Sequence, residues 1–501
     1  MFHLPKALYS AEQTRELDRL ALEQCQLSSS ELMARAGKAA LDLIGQHWPD
    51  AKNLLIFCGS GHNGGDGFEL ARQAAAKGLT AHIVLVGKLE SMTDEVHAAY
   101  QAAIKQGAKT RTIKDDLPAA DLLVDGLLGT GLSREVSVDF ALAIEKINAQ
   151  AETPVLALDI PSGLNADTGS IMGCAVTANI TLSFIGLNIG LCTNDGSDIC
   201  GELAFADLAI PQSVYQQVSP LAERLNINAL TESLLQPRKR NSHKGHFGHV
   251  LVIGGNQSMS GSVNITAQAA ARTGAGLVTV ATHPSHADFL NLQRPEIMSR
   301  GISQAEDLND LLAKATVICL GPGLGQDDWA QAIFKKVMAS DKPMVIDADA
   351  LNLLSQQPQN RPNWILTPHP GEAASLLGIN NNAVQNDRPN AAIALQKRYG
   401  GVIVLKGSGS LICADDGPLQ LSPYGNPGMA SGGMGDCLTG IIGGLLAQKL
   451  TLAEATQTGV ALHGMAADNA ASDLGERGLL ALDILPYLQQ LLNLKDIPEC
   501  G

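Results

Sequence analysis

Short aliphatic runs alternate with longer amphipathic segments along the first part of the chain: "NLLIFC" from residue 53, "AHIVLVG" from 81, "DLLVDGLLG" from 121, "PVLALDIPSG" from 154 and "ITLSF" from 180. A run that is apolar at nearly every position has to be covered on both faces, and the Ala-rich segment 68–77 offers a helix to cover the first two. This pattern predicts βαβ units around a parallel sheet, a Rossmann-like three-layer α/β sandwich. "ITLSF" and "ELAFADL" follow one another without a long helix between them, so they are expected as extra strands at one edge. Between 211 and 247 the alternation gives way to polar, proline-bearing and charged sequence. A boundary is expected there, near 218–228, dividing the chain into 1–222 and 223–501. Alternation then resumes through "GHVLVIGG", "GLVTVAT", "TVICLGPGLG", "PMVIDADALNLL", "NWILTPHPGE" and "GVIVLKGSGSLICADDG". These predict a second, larger α/β layer fold with a helix at about 261–273, a hairpin in "IVLKGSGSLIC" and helices from 435 onward.

Composition adds exclusions. A chain of 501 residues, 45% of them hydrophobic and 51 of them glycine, is too long for one ordinary domain and agrees with two packed α/β domains. Its formal charge of -15 argues against a general nucleic-acid binder, which would have to neutralise phosphates. The one concentrated basic stretch is "PRKRNSHKGHFGH" at 237–249. Nine scattered cysteines contain no CxxC pair, so they read as reduced, mostly buried thiols. The N-terminus lacks the pattern of a signal peptide, and no apolar stretch reaches the ~18 residues of a membrane span. A cytoplasmic protein without membrane contact is expected.

Chemistry concentrates in two glycine-rich stretches. In "CGSGHNGGDG" five glycines lie between Gly59 and Gly67, after a strand and before a helix, where bare amides suit a phosphate. The following strand ends carry Asp125, the segment 129–135, Asp159 and Ser162. In an open α/β sheet these ends line one crevice, and Asp159, two residues before the pair Pro161 and Ser162, is the better candidate for a general base. The second stretch, "GNPGMASGGMGD", sets Gly432, Gly433, Gly435 and Asp436 at the start of an apolar helix, a site for an anion beside a carboxylate. "LKGSGS" at 405–410 forms a glycine hairpin suited to a nucleotide, and His369 lies between two prolines in a loop.

"NGGDG", "DGLLGTG" and "LDIPSGLNADTG", in this order, resemble the NAD(P)H-hydrate epimerase family over roughly residues 10–215. The resemblance implies a Rossmann-like domain that interconverts the R and S epimers of NADHX and NADPHX, cofactors whose nicotinamide ring has added water. It implies substrate contacts at His62, Asn63, Gly64, Gly65 and Asp66, at Gly129, Thr130, Gly131, Leu132, Ser133, Arg134 and Glu135, and at Asp159 as acid/base. It implies potassium at Asn63, Asp125 and Ser162. His62 departs from the Asn usual there.

"GPGLG", "DADALNLL", "TPHPGE", "LKGSGS" and "GNPGMASGGMGD" resemble the ribokinase-like superfamily and, within it, the ADP- or ATP-dependent NAD(P)H-hydrate dehydratases, over 225–495. This implies substrate contacts at Ser262, Gly323, His369 and Asp436, the last as base, with nucleotide at Lys406, Gly407, Ser408, Gly409, Ser410 and Gly435. Magnesium and ADP or ATP are the implied partners, and Ser262 stands where Ala is common. End to end the chain is similar to bifunctional NAD(P)H-hydrate repair enzymes, and a homo-oligomer is expected. The rival reading is a ribokinase-like kinase of a vitamin precursor with a non-catalytic N-terminal binding domain.

Overall fold

The structure, a computed structural model, describes residues 4–415 and 417–493. It divides into two compact units, Met1–Glu223 and Arg224–Gly501. In the first, seven strands lie in the order Lys109–Thr112, Thr80–Leu85, Asn53–Cys58, Leu122–Gly126, Val155–Leu158, Ile180–Phe184 and Glu202–Ala206. Every neighbouring pair is parallel. The two late strands do form one edge, joined by the short helical turns Ile189–Cys192 and Gly196–Ile199.

Burial follows the pleat. Leu54, Ile56 and Cys58 pack into a cluster with Leu41, Ile44, Phe68 and Leu70 from the helices Ser29–His47 and His62–Ala76. Leu55 and Phe57 point the other way, into a cluster with Ala143, Ile144 and Ile147 of helix Val138–Asn148. A strand buried on both sides has no place for a polar alternation, which is why "NLLIFC" is continuous. Chain order matters more for function. The chain enters the sheet at Asn53–Cys58, winds outward to Lys109–Thr112, then restarts at Leu122–Gly126 on the other side of the entry strand. Connections on the two sides therefore diverge, and a crevice opens beyond the C-terminal ends of these two strands.

The second unit repeats this logic. Its parallel strands run in the order Met298–Gly301, Leu277–Thr282, His249–Ile253, Val317–Leu320, Met344–Ile346, Trp364–Leu366 and Val402–Leu405. Leu411–Cys413 and Leu419–Leu421 extend it antiparallel, the first closing the expected hairpin. Helices Ser260–Thr273, Met434–Ala447, Leu452–Leu474 and Leu485–Leu491 cover one face, with Val250, Val252, Cys319, Ile441, Leu462 and Leu488 in one buried cluster. The entry strand, His249–Ile253, lies between Leu277–Thr282 and Val317–Leu320, so its crevice opens over the loops that start at Gly254 and Gly321. No helix among the described residues is long and apolar enough to cross a membrane.

Glycines in the helices His62–Ala76 and Ser29–His47 meet different surroundings. A Cβ on Gly64 would collide with the carbonyl oxygen of Gly59, whereas nothing stands within 4 Å of one on Gly45, inside helix Ser29–His47. Gly64→Ala should therefore cost about 1–3 kcal/mol through overpacking, and Gly45→Ala should stabilise by about 0.5–1 kcal/mol through helix propensity. Urea unfolding of the two variants, followed by far-UV circular dichroism, checks the opposite signs.

Candidate functional site

The first crevice holds a cavity of about 940 Å³. It is lined by His62, Asn63, Asp66, the segment from Gly129 to Glu135 and Asp159, so most of the expected first-domain site converges there. Residues 62–66 form the opening turn of helix His62–Ala76, whose N-cap, Gly61, provides no side-chain hydrogen bond. A first turn without such a cap is where backbone amides can meet an anion. Gly64 and Gly65 are buried, the first against the Gly59 carbonyl and the second against Met33. Their contribution to the site is close approach of backbone rather than an open loop.

Asp125 and Ser162 lie beneath the cavity, both 0% exposed. The Asp125 carboxylate accepts from the Leu127 amide (3.1 Å), the Ser162 amide (2.7 Å) and the Ser162 hydroxyl (2.6 Å). Ser162 Oγ in turn accepts from the Leu128 amide at 2.8 Å. Burial pushes Asp125 up to about 6, against those three donors. Asn63 Nδ2 donates to the Leu128 carbonyl at 2.9 Å, while its buried Oδ1 has no partner. An orphaned acceptor beside a buried carboxylate suits a monovalent cation, so these residues fit potassium.

Asp159 adopts a left-handed backbone at φ +64°, a conformation costly for a residue with a side chain though least so for Asp and Asn. Its carboxylate accepts from the Thr130 amide at 3.4 Å, and burial pushes it up to about 6. Two further carboxylates face the same cavity. Asp18, on helix Ala11–Cys25, is pushed up to about 7 by burial and by Asp159. Asp66 is held well above the carboxylate range by burial, then by Asp159, Asp18 and Glu69. Three interacting acids that titrate toward neutrality can give and take protons at the pH of a cell. Sequence reasoning missed Asp18: it sits in an ordinary amphipathic helix far from any glycine motif, and only folding brings it to the crevice.

In the second unit the expected residues also meet. Ser262 lies at the start of helix Ser260–Thr273, and a Cβ on Gly323 (φ +58°) would stand 3.3 Å from its Cβ. Burial raises Asp436 to about 6, Asp347 adds to that, and the Ser262 hydroxyl pulls the other way. Helix Met434–Ala447 begins at Gly433 (φ +91°) without a side-chain cap, which leaves its first amides for an anion. Lys406 Nζ reaches this helix start: a Cβ on Gly435 would be 3.2 Å from it. The ammonium pairs with Asp347 at 2.7 Å and lies 3.7 Å from Glu372. Burial opposes its charge, but these carboxylates hold it above its ordinary range, so it stays ionised. Asp347 is 1% exposed and also accepts from the Thr439 hydroxyl at 2.8 Å.

His369 caps helix Pro370–Leu377. Its Nδ1 accepts from the amides of Gly371 (3.0 Å) and Glu372 (3.3 Å), so the neutral ring carries its proton on Nε2. Glu372 accepts from the His369 amide at 2.7 Å, and its other oxygen lies 3.4 Å from His369 Nε2, so one carboxylate stands between the imidazole and Lys406. Gly407, Ser408, Gly409 and Ser410 form the turn between the two hairpin strands, closed by Ser410 Oγ donating to the Gly407 carbonyl at 3.0 Å. Asp347 and Glu372 were not among the expected residues. Asp347 did carry a signal, an acid directly after the apolar run "PMVI".

Fold and sites thus define a two-unit α/β protein, each unit with a crevice at the point where its strand order reverses, one lined by acids and the other built around a lysine and a helix start. Residues 29–190 match the family described as YjeF-related protein N-terminus, and residues 250–490 match that described as NAD(P)H-hydrate dehydratase. The chain is 49% identical to the bifunctional NAD(P)H-hydrate repair enzyme Nnr of Coxiella burnetii over 97% of its length and 99% of that protein. It is 40% identical to the Nnr of Escherichia coli (strain K12) over 98% of its length and 95% of that protein. Among solved structures, a ribokinase-like superfamily protein from Enterococcus faecalis V583 matches with a TM-score of 0.50 and 32% identity, covering 54% of this chain and 95% of that one. The chain belongs to the bifunctional NAD(P)H-hydrate repair enzyme family.

The raised acid has a consequence for stability. With a folded value near 6 against an ordinary 3.8, Asp159 contributes fully below about pH 4 and its contribution is lost as pH rises through 6. Asp159→Asn removes the buried charge and keeps a side chain tolerant of φ +64°. We expect its first unit to melt higher than wild type by about 2–4 °C at pH 8, with the gain fading toward pH 4. Thermal unfolding at the two pH values checks this.

Proposed function

We propose that the chain repairs hydrated nicotinamide cofactors. Residues 1–222 interconvert the R and S epimers of NADHX and NADPHX, and residues 223–501 dehydrate the S epimer to NADH or NADPH at the expense of ADP or ATP. The observation that carries this reading is the match to repair enzymes along 97% of the chain, in a fold whose two crevices each present a desolvated carboxylate.

Inversion at C6 of the hydrated ring changes no composition. One proton has to be delivered and one removed, and acids with values near 6 and 7 in one cavity supply both forms. Asp159 is the acid/base in this reading, with the first turn of helix His62–Ala76 and the segment 129–135 gripping the rest of the dinucleotide. A potassium ion held by Asn63, Asp125 and Ser162 would supply positive charge at the cavity floor.

Dehydration has to expel a poor leaving group. The C6 hydroxyl oxygen attacks the terminal phosphorus of the nucleotide, its proton passes to Asp436, and the bond from that phosphorus to the bridging oxygen breaks. The resulting ester then loses phosphate from C6 and a proton from C5, which leaves the dihydronicotinamide. Lys406 and the helix start at Gly433 answer the charge on the transferring group. Magnesium, if carried on the nucleotide phosphates, would supply further positive charge there. The Asp347 carboxylate is already engaged by Lys406 and Thr439, which favours a metal held mainly by the nucleotide. Ser262, beside Asp436, tunes the base.

Absorbance at 340 nm tests the proposal on a mixture of R- and S-NADHX with magnesium and ADP or ATP. Full recovery of NADH is expected. Asp159→Asn should stall recovery at the S fraction, and Asp436→Asn should slow dehydration by about 10²-fold or more. A stable phosphorylated product with no NADH would favour the kinase reading instead.

The rate of the dehydration step should fall as pH drops below about 6, where Asp436 becomes protonated. Because the Ser262 hydroxyl holds that value down, Ser262→Ala should move this acid limb to higher pH, measured as the pH profile of kcat for S-NADHX.

A further inference from the structure

Arg388 is 2% exposed. Burial of a guanidinium is costly unless an anion answers it, and among the described residues no carboxylate pairs with this one. Its place in the chain increases the cost. Arg388 is the first residue of helix Arg388–Tyr399, where the helix dipole disfavours a cation. The neighbouring Asp387 is engaged elsewhere, accepting from the Asn390 amide at 3.2 Å and from Asn390 Nδ2 at 2.8 Å.

The guanidinium's hydrogen bonds go to the last residue of strand Val402–Leu405 and to the 406–410 turn that follows it. Nη2 donates to the Leu405 carbonyl at 3.4 Å and to the Gly409 carbonyl at 3.3 Å, both long for such bonds. Nε is buried without a partner. Nη1 lies so close beneath Gly407 (φ +146°) that a Cβ there would collide with it. The charge thus bridges the two ends of the turn from below, and only a glycine admits it. Burial has drawn its pKa down to about 10, well above neutrality, so it remains a cation.

We propose that Arg388 is a positioning residue for the nucleotide: it fixes the 406–410 turn from beneath and supplies, through that turn, the positive potential that the nucleotide's phosphates answer from above. The inference rests on the dehydratase reading of this unit and adds to it a residue that never touches ligand. A buried cation that no protein anion offsets is stabilised when a polyanion binds within a few ångströms in a low-dielectric setting.

A charge effect has a signature that a purely structural one lacks, since it grows with the number of phosphates. Calorimetric titration of the full chain with adenosine, AMP and ADP, for wild type, Arg388→Lys and Arg388→Met, reads it directly. We expect Arg388→Met to weaken ADP at least tenfold, AMP less and adenosine least, and Arg388→Lys to restore part of the ADP loss. In turnover, KM for the nucleotide should rise while KM for S-NADHX stays within twofold. If Arg388→Met does not fold, Arg388→Gln replaces it. Equal losses for adenosine and ADP, or no loss, would overturn the inference and leave the dehydratase reading intact. Failure of the wild-type chain to bind ADP or ATP would overturn both.

Discussion

Both units depend on how a carboxylate is treated once the end of a parallel strand takes it out of water. Asp125 is answered by three donors from the next loops, and Asp347 by an ammonium and a hydroxyl. These acids tie the strand ends together and shape the crevice floors. Asp159 and Asp436 accept fewer hydrogen bonds, and burial lifts both toward neutrality, as it lifts Asp125 in spite of its donors. What separates them is bonding: the oxygens of Asp125 are taken up by Leu127 and Ser162, whereas Asp159 lines the cavity with one long hydrogen bond and is left able to move a proton.

The same constraint governs the cations. Lys406 is charged because Asp347 and Glu372 surround it, and it is thereby fixed against the helix start at Gly433. Arg388 donates to the carbonyls of Leu405 and Gly409, and among the described residues no carboxylate pairs with it, so the backbone around the turn is what answers its charge. An anion bound over this turn would meet a fixed lysine, a helix N-terminus and a buried guanidinium without any of them having to reorganise. Preorganisation of this kind is expensive to fold, and the broad apolar layers on the sheet faces sustain it.

Much of this was legible in the chain. Continuous apolar runs announced sheets covered on both faces, the missing helix between "ITLSF" and "ELAFADL" announced an edge pair, and the two glycine stretches announced where backbone comes close to something. The glycines did not announce to what. Gly64 admits the Gly59 carbonyl and Gly67 the side chain of Cys58 on the preceding strand, whereas Gly435 admits the Lys406 ammonium, and the same residue type serves all three because each needs only the absence of a Cβ.

The sequence by itself determined the local periods, the turn chemistry, the order of strands and helices, and the motifs that resemble epimerase and dehydratase sites, since each is written in neighbouring residues. Tertiary structure alone decided which distant groups share a solvent-free space. Asp18 meets Asp66 and Asp159, Glu372 meets Lys406, and Arg388 meets Gly407 only because strand order and helix packing bring them together. A protonation state depends on that shared burial, a property of the assembled fold that no stretch of sequence carries.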